Sequence, residues 1–243
     1  MDALRHEATQ RSPGGRRRWG GAIGRAALCV WLLGLPLSSH GQDAAEPARS
    51  RPDPTCTGQA EGAACWMELA NEAGCYVWNE QLQKDESVTW SGACAGSLAH
   101  GEGSFTWVWG EDKRVITATG WLQNGKQRGY WVARCPDGGV HEGPYVDGKR
   151  HGPWIARYPD GGVQEGPYVD GKHHGYWVTR YPNGVVHEGP YVDGKRHGHW
   201  ITRHPDGVVH EGPYVDGEMH GRWIVHGADG SSQEVTFVNG RLQ

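Results

Sequence analysis

Four histidines, His151, His174, His197 and His220, recur at a constant step of 23 residues. Histidine is the commonest metal-binding side chain, so such a ladder raises metal chemistry first. The spacing argues against it. If each step is one β-hairpin, equivalent positions stand two strands apart, about 9–10 Å at the normal strand separation. Ligands of a single zinc ion each lie about 2 Å from it. Ladder histidines cannot share an ion, and a site would need a different pairing, such as His173 with His151 or His197. The expected role of the ladder is a solvated turn histidine. The repeated carboxylates are weighed the same way. Asp147, Asp170, Asp193 and Asp216 each precede a glycine and are expected to cap their own turns. A residue copied in every unit is scaffold, whereas an active site needs an asymmetric group of residues. The chain has no Gly-x-Ser-x-Gly elbow, no Gly-x-x-x-x-Gly-Lys loop and no His-Glu-x-x-His. The expectation is a non-catalytic protein with no metal and no cofactor.

Cysteine is the other reactive type. Cys56, Cys65, Cys75 and Cys94 crowd into a short stretch, and no two cysteines have the Cys-x-x-Cys spacing of a zinc site. These four are expected to form disulfides of a stapled cap. Connectivity stays open, although Cys75 and Cys94 flank two strand-like runs and could face each other across a hairpin. Cys135 would then be the leftover thiol.

The elements that carry these residues follow from a repeat. His-Glu-Gly-Pro-Tyr-Val-Asp-Gly-Lys-Arg-His-Gly at 141–152 returns at 164–175 and 187–198, and more loosely at 210–221. Tyr145, Tyr168, Tyr191 and Tyr214 keep the step, as do Trp131, Trp154, Trp177, Trp200 and Trp223. A fixed period of this length decides the architecture before local propensity does. Degenerate copies at both ends bring the count to about seven units over 88–243, the outer ones acting as caps. Each unit reads as two strands, roughly 140–146 and 153–158, with turns at Asp147-Gly148 and Pro159-Asp160-Gly161. Pairing about the 147–152 loop would set Tyr145 opposite Trp154, Gly143 opposite Ala156 and Glu142 opposite Arg157. Loops of even length would flip the faces from unit to unit. An odd loop or a bulge is therefore needed near Pro159-Asp160-Gly161, and a bulge is expected there, with Gly161 at positive φ.

Composition agrees with a repetitive sheet. Glycine (39) and tryptophan (13) far exceed ordinary usage while only 37% of residues are apolar, which suits turns alternating with aromatic strands. Residues 1–41 read as a signal peptide, with a basic leader (Arg11, Arg16, Arg17, Arg18, Arg25) before the short apolar run 22–37. Without that segment's six arginines and two acids, 24 basic and 28 acidic residues fall to 18 and 26, a net charge of −8. Such a field does not steer a protein toward nucleic acid or anionic lipid. Residues 42–54 read as a disordered linker and 55–87 as a Cys-rich cap, too short for an independent enzyme fold.

The pattern Glu-Gly-x-Tyr-x-x-Gly-Lys-x-His-Gly with a later Asp-Gly resembles the MORN repeat, over about 88–243. One departure is systematic. Where MORN units commonly carry a second glycine, this chain has Trp154, Trp177, Trp200 or Trp223. In this it looks like exported bacterial MORN-like proteins, including a group named for an antitoxin role. The resemblance implies an all-β fold, an elongated single-layer antiparallel sheet of tandem hairpins, and a role as a protein- or lipid-contacting module. The expected function is a scaffold for an unknown protein partner in the periplasm or outside the cell. The alternative is a phospholipid-surface module; nucleic acid is disfavoured. The expected interaction face is the aromatic stripe Tyr145, Trp154, Tyr168, Trp177, Tyr191, Trp200, Tyr214 and Trp223. Its rings would pack on one another, with some left exposed.

Overall fold

The computed structural model describes residues 52–243. The proposed signal peptide and most of the linker lie outside the described residues. The described chain is all-β, with 21 strands and no helix. It divides into two compact units, 52–159 with 168–172, and 160–167 with 173–243.

In the first unit a small cap precedes the repeats. Strands Cys65–Leu69 and Glu72–Asn79 pair antiparallel, and Ala93–Ala95 pairs with the start of Leu98–Trp109. Two disulfides, Cys56–Cys65 and Cys75–Cys94, tie this region. Cys135 is not the leftover thiol that the sequence suggested: among the described residues no cysteine is free. The cap is fastened to the first repeat through backbone bonds, Trp78 N–H to the Gly125 carbonyl and Gly125 N–H to the Ala99 carbonyl.

The repeats of both units are built alike. Asp147 and Gly148 both have positive φ (49° and 83°), the conformation of a two-residue type I′ turn that matches the strand twist. The pairs 170–171, 193–194 and 216–217 repeat it. This tight turn corrects the expected register. Tyr145 pairs with Arg150 and Val146 with Lys149, but Glu142 then pairs with Ile155 rather than Arg157. Two extra residues, His151 and Gly152, are taken up between the two stretches of pairing. A slip of two residues leaves every side chain on its expected face. It also moves Gly143, not Tyr145, beneath Trp154. Tyr145 and Trp154 still meet edge to face, 5.1 Å between centroids.

The connection to the next unit has the odd length that face parity needs. Residues 181–185 form a five-residue loop closed by Tyr181 N–H to Val185 O (2.8 Å) and Gly184 N–H to Tyr181 O (2.9 Å). Gly161, at the position of Gly184, has φ 92° as expected. Here lie the self-capping acids. Asp160 Oδ1 accepts from Gly162 N–H (2.9 Å), as Asp206 does from Val208 (3.1 Å). Asp170, Asp193 and Asp216, expected to cap their own turns, instead reach toward the histidines described below.

Candidate interaction faces

Strand alternation gives each unit an inner and an outer face. The inner face holds the aromatic stripe. In the second unit the rings form an unbroken edge-to-face series: Trp177–Tyr191 (6.1 Å), Tyr191–Trp200 (5.1 Å), Trp200–Tyr214 (6.0 Å), Tyr214–Trp223 (5.3 Å) and Trp223–Phe237 (6.2 Å). In the first unit Trp131, Tyr145, Trp154 and Tyr168 do the same. Each tryptophan lies flat against a glycine of the preceding strand. A Cβ added at Gly143, Gly166, Gly189 or Gly212 would come under 3.0 Å from the ring of Trp154, Trp177, Trp200 or Trp223. Each indole Nε1 then donates to a proline carbonyl, as Trp200 does to Pro190 O at 2.9 Å. Of the eight residues in the expected stripe, seven are buried, with at most 7% of their surface exposed, and Tyr191 is half-buried. The rings are thus the core of the repeats, each filling the gap its glycine leaves.

Cations complete this face. Arg150 lies over Tyr168 (4.1 Å) and Trp154 (5.5 Å) and donates to the Tyr168 hydroxyl at 2.8 Å. Arg196 covers Trp200 (4.6 Å) and Tyr214 (5.3 Å) in the same way. The equivalent residue is His173 or Met219 in the other copies. His173 packs against Trp177 (4.1 Å) and Tyr191 (5.0 Å). His141, also on this face, is buried, and burial pulls its pKa down to about 4.

The histidine ladder runs along the turn edge. His151 faces Asp170 (3.6 Å), His174 faces Asp193 (3.8 Å), His197 faces Asp216 (4.0 Å), and His220 faces Asn239 (3.3 Å). His151, His174 and His197 are nearly half exposed, and each histidine of the ladder contacts the turn of the following repeat. The ladder links neighbouring units at their edge.

The outer face carries the exposed column that was missed as a candidate in the sequence. Its fixed features are a proline and a Glu–Arg pair per unit. Glu142–Arg157, Glu165–Arg180 and Glu188–Arg203 all form, the last at 2.9 Å, though the partners are diagonal rather than opposite. One position on this face changes from copy to copy: Tyr130, Pro153, Tyr176, His199 and Arg222. Tyr130 and Tyr176 pair with Pro144 and Pro190 and stand 59% and 53% exposed. Partial burial, and then the neighbouring Glu188 carboxylate, push the Tyr176 hydroxyl pKa up. The signal was present in the sequence as a column that varies inside an otherwise copied unit.

In the last full copy the arginine is replaced. Glu211 accepts from His226 Nε2 (3.1 Å) and from His199 Nε2 (3.3 Å). These hydrogen bonds hold its carboxyl below the ordinary range. In the cap, burial raises the pKa of Glu80 and Glu86. Glu86 is already engaged by Asn79 Nδ2 (2.8 Å), Gln83 N–H (2.7 Å) and the Trp107 indole, which is a structural network. Glu80 lines a cleft of about 70 Å³ between the cap and the first repeat, beside Trp78, Phe105 and Tyr145.

No family model matches the chain, and no curated protein does. Among solved structures it is similar to the TCP domain of Drosophila melanogaster SAS-4 (dCPAP), in complex with a proline-rich motif of Ana2 (dSTIL). That match has 13% identity, covers 56% of this chain and 79% of that one, and has a TM-score of 0.33. A second is the TCP10 domain of Danio rerio CPAP, at 14% identity over 61% of this chain and 88% of that one, TM-score 0.23. Likenesses this weak carry no argument about fold or function.

Proposed function

We propose that the chain is a non-catalytic scaffold of the MORN-repeat kind, presenting its outer sheet face to a protein partner in the periplasm or outside the cell. The observation that carries this reading is the division of labour between the faces. The aromatic stripe of the inner face is copied and, Tyr191 apart, buried. The outer face exposes a residue that varies among the units, with large aromatic side chains at Tyr130 and Tyr176. Exposed tyrosines on a polar sheet are the residue type that anchors protein interfaces. Two disulfides suit an oxidising compartment, in keeping with the leader in the sequence. The alternative, a phospholipid-surface module, rests on the same resemblance, and the net charge of −8 outside the leader opposes it.

A photo-crosslinking residue at position 130 or 176 tests the reading in the exporting cell. Discrete protein adducts at both positions, absent when the probe replaces exposed Glu61 in the cap, are expected. No adduct at either site, together with salt-sensitive sedimentation of the chain with anionic vesicles, would transfer the function to lipid.

A further inference from the structure

We infer that the outer face of the first repeat carries a binding site for an acidic sugar, a pyranose bearing a carboxylate of the uronic-acid kind. His100, Trp121, Gln123, Arg128 and Gly129 line a cavity of about 430 Å³ there, an ordinary size for a small-molecule site. Trp121 pairs directly opposite Arg128, so both project from one face, and Gln123 follows two residues along. His100 reaches the cavity from the preceding strand, its ring edge-on to the Trp121 indole at 6.0 Å between centroids. Its Nδ1 accepts from Asn124 N–H at 3.5 Å, which leaves Nε2 for a hydroxyl. Trp121 is 47% exposed, a flat apolar surface on which the C–H face of a sugar ring can stack. The Arg128 guanidinium donates to Gln123 Oε1. That bond orients the fork and leaves most of its five N–H donors for a ligand. Arg128 is the one fixed charge of the lining, and a fork held this way matches a carboxylate. Glu102 pairs with Trp121 from the other side and lies outside the lining.

The cavity exists because this copy differs from those that follow. Where it has Trp121, Gln123 and Arg128, the next copy has Pro144, Val146 and His151, and the three after it keep those residue types at the 23-residue step. In those copies the proline ring closes the space over a glycine: a Cβ on Gly152, Gly175, Gly198 or Gly221 would stand 3.0–3.3 Å from a proline Cγ. At Gly129, the equivalent glycine, nothing lies within 4 Å of that position. Three exchanges in one unit thus open a space and line it with an indole, an amide and a guanidinium. This is the asymmetric group of residues that a copied scaffold does not need. One apolar ring amid hydrogen-bonding groups suits a hydroxyl-rich molecule with one C–H face, whereas an all-apolar ligand would need an apolar enclosure. The inference goes beyond the protein-partner reading and stands without it.

Digalacturonic acid titrated into the full chain, followed by calorimetry and saturation-transfer NMR, should bind at one saturable site per chain. Its dimethyl ester has the same rings without the charges and should bind about tenfold more weakly or worse. The triple variant Trp121→Pro, Gln123→Val, Arg128→His installs the residues of the following copies and so should keep the fold, checked by circular dichroism. It should lower the affinity for the acid about tenfold or more. Absence of saturable binding would overturn the inference, as would unchanged affinity in the triple variant. Equal affinity for the acid and its ester would overturn the acidic class. Acetate competing as well as the sugar would overturn the sugar and leave an anion contact.

Discussion

Replacing Gly189 by alanine tests the idea that each tryptophan fills a socket left by a glycine. The added methyl would meet the Trp200 ring within 2.5 Å, where ordinary contact begins near 3.4 Å. The ring, or the strand, must give way by about 1 Å. Trp200 cannot retreat freely, because its Nε1 is bonded to Pro190 O at 2.9 Å and Tyr191 and Tyr214 touch it on either side. Overpacking of a tight core costs about 1–3 kcal/mol, and a lost hydrogen bond about 1 kcal/mol more. Against this, alanine in place of glycine gains about 0.4–1 kcal/mol by restricting the unfolded chain. The net expectation is a loss of about 2 kcal/mol, read from urea unfolding followed by tryptophan fluorescence and circular dichroism. The decisive measurement is a double-mutant cycle with Trp200→Leu. With the ring gone the alanine should cost little, so the coupling should exceed about 1 kcal/mol. A Gly189→Ala that is neutral or stabilising, or a cycle with no coupling, would refute the socket.

Arg196→Met, which installs the residue found at Met219, should cost about 1 kcal/mol, and Arg196→Ala more, since the guanidinium stacks on two rings; chemical denaturation measures both. His141 gives a pH dependence. Its pKa falls from 6.5 to about 4 on folding, so its neutral form is favoured in the native state. The stability this supplies is complete above pH 6.5 and is lost as pH drops toward 4, about 3 kcal/mol in all. His141→Gln, which copies Gln164, should flatten the melting temperature between those pH values. Peptide mass spectrometry without reduction should find Cys56 joined to Cys65 and Cys75 joined to Cys94. Replacing the second pair by serine should cost about 3 kcal/mol for a loop of this size.

The repeat step made much of the fold readable in advance. Spacing alone assigned Tyr145 and Trp154 to one face, and face parity demanded an odd loop or a bulge, which the structure meets with the five-residue loop at 181–185. Register was less accessible. The symmetric fold about 147–152 overlooked how strongly Asp147-Gly148 sets a two-residue turn. That turn forces His151 and Gly152 to be absorbed as extra residues, and Gly143 rather than Tyr145 then receives the indole. The candidate site was less legible still. Aromatic content drew attention to the inner rings, which spend themselves on packing. The outward residues Tyr130, Tyr176 and His199 occupy a column without consistent chemistry, and only a comparison of the copies for their differences exposes it. The Glu211 cluster joins residues 12 and 15 positions away, a proximity that depends on the corrected register.

The knob-and-socket contact between tryptophan and glycine also bears on inheritance. The neighbours that hold Trp200, from Gly189 through Tyr214, span little more than one period. Duplicating or deleting one 23-residue segment in phase would hand every ring an equivalent partner. Chain length can therefore change in whole steps by recombination between near-identical coding segments, without a new core being invented. The residue at the outer column travels with each step, so growth of the array and renewal of its exposed surface are one genetic event.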